Sequence, residues 1–214
     1  GQFRFYSADL KDEAEERRII EEDLRVALAE EKLELHYQPV VRTDDNMVVV
    51  FEALMRWTHP ERGYIGPNVF IPIAEESDLI LKLGEWALNK ACLDALAWPE
   101  SVRVAVNVSA AQFTHSEFAD TVTQALQVSG LEPGRLELEL TESVFMGDSE
   151  TVEETFRTLK KLGVRLALDD FGTGYSSLSY LRSAPFDKLK VDRSFVDSCT
   201  LKDQNSDKII AAII

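Results

Sequence analysis

Two hydrophobic periods alternate along this chain, and the switches between them divide it into elements. Over residues 11–31 the period is helical: Ile20, Leu24, Ala27 and Leu28 fall on one stripe of an otherwise charged segment. From Leu33 onward strand and helix patterns take turns. Residues 33–42 and 47–57 read as neighbouring strands joined by the polar turn Thr43-Asp44-Asp45-Asn46. Further strands are predicted over 102–108, 135–141, 164–169 and 188–191, which makes six. Helices are predicted over 67–75, 78–98, 116–129, 149–162, 176–182 and 203–214. Gly130 and Gly163 stand where helix-ending glycines belong.

Strands that alternate with helices imply parallel pairing. Yet these strands are not apolar on both faces. In 135–141 the leucines take one face and Glu137, Glu139 and Thr141 the other. In 47–56 Val48, Val50, Glu52, Leu54 and Arg56 share a face, and in 102–109 Ala105, Asn107 and Ser109 do. An open sheet covered by helices on both sides would bury those polar groups in oil. A barrel with helices outside and a polar mouth inside gives them a place, so an α/β barrel of the TIM (βα)8 type is expected, its site at the C-terminal strand ends.

Composition narrows the partners. Lys and Arg total 23 against 38 Asp and Glu, a formal net charge of −15, spread along the chain with dense patches over residues 11–32. Such a balance argues against polymeric nucleic acid, which needs a basic surface. It leaves room for a small anionic substrate held through metal ions. Cys92 and Cys199 lack metal-type spacing, and reduced thiols in a cytoplasmic compartment are expected. No apolar run is long enough to span a bilayer. The opening Gly1 suggests a piece of a longer protein.

The chemistry concentrates at predicted strand ends. Asp169-Asp170 closes one strand and leads into the glycine-rich run Phe171-Gly172-Thr173-Gly174-Tyr175-Ser176-Ser177. Brought to one mouth, Glu52, Glu139, Asp169 and Asp170 are four carboxylates, with Asn107, Glu142 and Lys190 close by in the pattern. Each like-charged pair would cost about 4 kcal/mol at 4 Å and an effective dielectric of 20. Several such pairs would rival a domain stability of roughly 5–15 kcal/mol. The carboxylates must protonate or be neutralised by cations. All-oxygen donors, the Asn107 amide included, suit Mg²⁺ or Mn²⁺ rather than zinc. Adjacent aspartates suit a two-metal site that readies a water and clamps a phosphoryl centre, and Lys190 is placed to hold a water or a phosphate oxygen.

Six ordered motifs then match a family. Tyr37-Gln38-Pro39, Glu52-Ala53-Leu54 with Arg56, Asn107-Val108-Ser109, Glu139-Leu140-Thr141-Glu142, Asp169-Asp170-Phe171-Gly172-Thr173-Gly174 and Lys188-Leu189-Lys190-Val191-Asp192 resemble, in order, the signatures of EAL domains, which hydrolyse the bacterial messenger cyclic di-GMP. The resemblance runs over residues 22–214. Residues 1–21 read as a linker helix from an upstream domain, and Phe3-Arg4-Phe5-Tyr6 resembles the junction that follows a GGDEF, diguanylate cyclase-like, domain. The resemblance implies a modified TIM barrel with its first strand reversed. It implies metal ligation by Glu52, Asn107, Glu139 and Asp169, with Asp169 bridging to a second metal that Asp170 also serves. It implies substrate contacts from Gln38 and Arg56, the latter to phosphate. Glu142 would steady the glycine-rich loop, and Lys190 would sit near the nucleophilic water. The implied product is linear pGpG, the implied assembly a homodimer, and the implied setting the bacterial cytoplasm. The runner-up is a receptor that binds cyclic di-GMP without cleaving it.

The sequence stops before the family's later Glu-Gly-Val-Glu and Gln-Gly motifs, so the C-terminal strand–helix units are absent from it and the barrel is expected to be unclosed. Asp170-Phe171-Gly172 also spells a kinase motif, but no ATP-covering loop or catalytic His-Arg-Asp accompanies it. Gly172-Thr173-Gly174 lacks the Gly-Lys-Ser/Thr ending of a phosphate loop. His36 shares a strand face with Gln38, while His59 and His115 read as surface or loop residues. Trp57, Trp86 and Trp98 are spaced as core residues.

Overall fold

The structure, a computed structural model, describes residues 8–171 and 184–192. The opening Phe3–Tyr6 stretch, the glycine-rich run after Phe171, and the helices expected over 176–182 and 203–214 lie outside the described residues.

Helix α1 (Ala8–Ala29) leads into β1 (Leu33–Val41), β2 (Val48–His59) and the short β3 (Gly63–Ile65). Helices α2 (Pro67–Glu75) and α3 (Leu79–Ala95) follow, then β4 (Arg103–Val108), α4 (Ala110–Phe113), α5 (Phe118–Ser129), β5 (Leu136–Thr141), α6 (Ser149–Leu162), β6 (Arg165–Phe171) and β7 (Lys188–Val191). One-turn 3₁₀ segments precede and follow β5, at Pro133–Arg135 and Glu142–Met146.

Local chemistry sets these boundaries. Pro67 opens α2, where its missing N–H has no intrahelical partner to lose. The Asp148 carboxylate caps α6 by accepting from Thr151 N–H at 3.0 Å. The helix ends at Gly163, with Lys160 and Lys161 in the last turn facing its negative pole. Gly163 has φ +90°, a left-handed conformation that a side chain disfavours. The sequence pattern missed β3 and α4 because three or four residues are too few to display a period.

The sheet order is β1-β2-β4-β5-β6-β7, with β3 paired to β2. The first strand runs antiparallel to β2. From β2 through β7 all neighbours on that path are parallel. Strands β2 and β7 are four steps apart, about 19 Å in a flat sheet. Yet Lys190 on β7 reaches Glu52 on β2, Nζ to Oε2, at 3.4 Å. Two side chains cannot span a flat sheet of that width, so the sheet curls with its polar face inside. That is the TIM-barrel-like arrangement with a reversed first strand.

The apolar face lies outside, under the helices. Leu136, Leu138 and Leu140 are fully buried, packed in one cluster with Leu88 and Ala91 of α3, Val122 of α5 and Phe156 of α6. Each such leucine contributes roughly 1.5–3 kcal/mol. A second cluster joins Ile20, Leu24 and Ala27 of α1 to Trp57, Phe70 and Leu83, so the stripe expected on the first helix is the face it buries. Arg135 closes the C-terminal end of α3, donating to the carbonyls of Ala95 at 2.7 Å and Val102 at 3.1 Å.

His59 departs from its surface assignment. Its side chain is 11% exposed and Nε2 lies 3.2 Å from Asp23 Oδ2 on α1. Its Nδ1 accepts from the backbone N–H groups of Glu61 and Arg62, which places the proton on Nε2, facing Asp23.

Candidate active site

The curl brings inward-facing residues of β2, β4, β5, β6 and β7 to one mouth. In-register pairing aligns them: Glu52 lies beside Ala105, Asn107 beside Glu139, and Thr141 beside Asp169. Carboxylate oxygens of Glu52, Glu139 and Asp169 lie within 4.8 Å of one another. Asn107 donates from Nδ2 to Glu52 Oε1 at 2.9 Å. The four residues expected around one ion are therefore neighbours in space.

Lys190 stands among them. Its ammonium donates to Glu139 Oε2 at 2.5 Å and to Asp169 Oδ2 at 2.8 Å, with Glu52 Oε2 at 3.4 Å. Expected beside the site, Lys190 lies at the centre of the carboxylates. Burial opposes its charge, but the hydrogen bonds to Asp169 and Glu139 outweigh burial and hold its pKa above that of an ordinary lysine.

Deeper in the interior the alternation of charge continues. Glu137, 1% exposed, receives Lys188 Nζ at 2.7 Å and has Arg103 Nε at 3.7 Å. Lys188 in turn approaches Glu139 at 3.9 Å. The cations on β7 thus face the acids on β5, and the interior polar face is held by opposite charges in layers. Lys188 and this ladder were missed by the sequence reading; the alternation Lys188-Leu189-Lys190 against Glu137-Leu138-Glu139 was the available signal.

Asp169 and Asp170 pose a geometric problem, because consecutive strand residues point to opposite faces. The pairing of β6 with β7 resolves it. Leu168 pairs with Leu189 and Phe171 with Val191, so Asp169 and Asp170 together oppose Lys190. That is a β-bulge, which re-aims side chains at a strand end. Asp170 has φ +52°, a left-handed conformation that aspartate tolerates better than most residues, and its N–H donates to Asp169 Oδ1 at 2.9 Å. Burial, then the charges of Asp169 and Asp192, raise the Asp170 pKa.

Gln38 is exposed on β1 directly across from Glu52. Arg56 lies two inward positions further along β2 and donates from Nη1 to the Met55 carbonyl at 2.9 Å. Among the described residues no carboxylate forms an ion pair with Arg56. Glu142 opens the 3₁₀ turn after β5 and is half-buried. His36 is exposed on the inner face of β1.

The donor set fits a hard divalent cation. It offers oxygen atoms, three carboxylates with the Asn107 amide beside them, and the carboxylates lie at separations that one ion with oxygen ligands at about 2.0–2.6 Å can bridge. A cation is already stabilised there in the form of the Lys190 ammonium. Burial pushes Glu139 up to about 7, with Glu52 and Asp169 adding to the shift and Lys190 opposing it. A divalent ion would have to displace the Glu139 proton below that pH. The apparent Mn²⁺ affinity is therefore expected to fall by about tenfold per pH unit below pH 7 and to level off above it. Calorimetry in buffers of different ionisation enthalpy should show proton release at pH 6 and little at pH 8. Affinity independent of pH between 5.5 and 8 would contradict the assignment of Glu139 as a ligand.

Comparisons with known proteins give this geometry a family. Residues 21–214 match the EAL domain family. The chain is 40% identical over 214 residues to the bifunctional diguanylate cyclase/cyclic di-GMP phosphodiesterase MucR of Pseudomonas aeruginosa, a match covering 98% of this chain and 31% of that protein. It is 45% identical over 197 residues to the cyclic di-GMP phosphodiesterase NbdA of the same organism, covering 90% and 25%. Among solved structures, the PaMucR phosphodiesterase in complex with c-di-GMP superposes with a TM-score of 0.82 at 42% identity, covering 91% of this chain and 80% of that one. The chain belongs to the EAL domain family, and it spans less than a third of the length of these two curated relatives. Among the described residues no helix is long and apolar enough to cross a membrane.

Proposed function

We propose that this chain hydrolyses cyclic di-GMP to linear pGpG. The observation that carries the reading is the convergence of Glu52, Glu139 and Asp169 within 4.8 Å, on strands whose sequence positions span more than a hundred residues. Mg²⁺ or Mn²⁺, as a two-metal pair, would supply an activated water and neutralise the charge that develops on the phosphoryl and leaving oxygens. Glu52, Asn107, Glu139 and Asp169 would hold the first ion. Asp169 and Asp170 would serve the second, since the bulge sets both backbone positions opposite Lys190. Arg56, with no acidic partner among the described residues, offers its fork of donors to a phosphate. Gln38, across from Glu52, would orient the same substrate. Lys190 would hold the nucleophilic water, and Glu142 would steady the loop after Asp170.

MucR joins a cyclase and a phosphodiesterase in one protein. By analogy α1 would enter from an upstream GGDEF or sensor domain, with the phosphodiesterase domain starting at residue 22. Independently of that analogy, the active unit would be a cytoplasmic homodimer. The test is incubation of the full chain with cyclic di-GMP and Mg²⁺ or Mn²⁺, followed by chromatography of the nucleotides. The expected product is pGpG, lost on chelation and restored by the metal. Binding of cyclic di-GMP with no product under any divalent ion would replace the enzyme by a receptor.

A further inference from the structure

Asn107 is held from behind by a device that involves no charge. Past β4 the chain turns at Ser109 into α4, and the turn is closed reciprocally. Ser109 Oγ accepts from the Gln112 backbone N–H at 3.3 Å. The Gln112 side chain reaches back, and its Oε1 accepts from Ser109 N–H and from the Ser109 hydroxyl, both at 3.1 Å. Such a cap satisfies donors at both ends of the turn. The turn begins two residues after Asn107, and the intervening Val108 is buried, so its geometry passes directly to the end of the strand.

Gln112 is itself fixed. It is 5% exposed, and it lies against Gly84 in the middle of α3. A Cβ at residue 84 would stand 1.6 Å from Gln112 Nε2 and 2.7 Å from its Cδ. Glycine in a helix interior is unfavourable relative to alanine, and helix propensity gives no reason for it here. The space it leaves is the space the Gln112 amide fills. Gly84, Gln112 and Ser109 thus form a chain of contacts from an outer helix to the strand end that carries Asn107.

We propose that Gln112, seated on Gly84, is a positioning residue: it fixes the turn after β4 and so keeps Asn107 Nδ2 at 2.9 Å from Glu52 Oε1. The consequence for ion binding rests on the function proposed above; the consequence for the Asn107–Glu52 contact does not. Three variants of the full chain separate them. Gln112→Ala removes the reciprocal cap. Gly84→Ala favours the helix by propensity yet evicts the Gln112 amide. Gln112→Glu keeps the cap, since glutamate accepts the same two bonds, and an added carboxylate would not repel a cation.

Two readouts are taken. The first is the side-chain amide resonance of Asn107 and its exchange protection, in the ion-free protein. The second is Mn²⁺ affinity by calorimetry. In Gln112→Ala and Gly84→Ala the Asn107 amide should lose protection, and Mn²⁺ should bind about 10–100-fold more weakly, the range seen when residues that orient metal ligands are lost. Gln112→Glu should keep both properties of the parent chain. An Asn107 amide unchanged in Gln112→Ala, or a Gly84→Ala chain identical to the parent in both readouts, would overturn the proposal. If the parent chain binds no Mn²⁺, the ion centre fails, and the Asn107 amide alone decides this one.

Discussion

Glu52→Gln is expected to reduce pGpG formation by at least about a thousandfold while leaving the fold intact. The replacement is isosteric, and its amide oxygen can still accept from Asn107 Nδ2, so the 2.9 Å contact survives. What is removed is one of the three converging negative charges. A group that holds a Lewis-acidic ion carries several kcal/mol of transition-state stabilisation, and about 4 kcal/mol corresponds to a factor near a thousand. The loss should fall on kcat and on Mn²⁺ affinity, with cyclic di-GMP binding less affected because Arg56 and Gln38 are untouched. Circular dichroism, calorimetry with cyclic di-GMP, and chromatography of products make the measurement. Turnover above a tenth of the parent's would remove Glu52 from the ion centre.

Lys190→Met should destabilise the ion-free protein, with a strong dependence on pH. The substitution keeps an unbranched stem as long as the lysine's aliphatic part and deletes the cation that contacts Glu139 and Asp169 and approaches Glu52. Removing one partner of a buried ion pair typically costs 3–5 kcal/mol, and here three acids lose a shared partner. The sign follows from protonation. Without the ammonium the folded pKa of Glu139, already near 7 with the lysine in place, rises further above its unfolded one. A group whose folded pKa is raised stabilises the fold below its unfolded pKa and loses that contribution as pH climbs through the folded one. Urea denaturation should therefore show a deficit of about 3 kcal/mol or more at pH 8 and a much smaller one at pH 5. Mn²⁺ at pH 8 should recover much of it, since an ion that binds only the folded chain stabilises it. Equal deficits at both pH values, with no recovery by the ion, would mean that Lys190 acts through packing alone.

The strands and long helices were legible because each repeats a period several times: the helices at Pro67–Glu75 and Ser149–Leu162 have the bounds their patterns predict. The polar faces were legible too, since Glu137, Glu139 and Thr141 alternate with leucines that are fully buried. The candidate acids were legible through ordered motifs, and Glu52, Glu139 and Asp169 do converge. What could not be read was distance across the sheet. Nothing local to Lys190 says that a curl over four strand steps brings it toward Glu52; only the closed packing of α3, α5 and α6 outside the sheet does that. The service of Gln112 was equally hidden, because its cause lies at Gly84, in another helix.

The bulge opposite Lys190 has a wider meaning for how acid groups can be concentrated on a regular scaffold. A pleated strand can present only every second residue to the interior, so one strand end supplies one inward carboxylate at a given height. By forfeiting a single rung of pairing and letting Asp170 adopt a left-handed turn of the backbone, the chain sets a second carboxylate within the field of Asp169 and Glu52 without adding an element. The flanking positions offer no such place, since Leu168 and Phe171 on either side of the pair are buried in the oily shell.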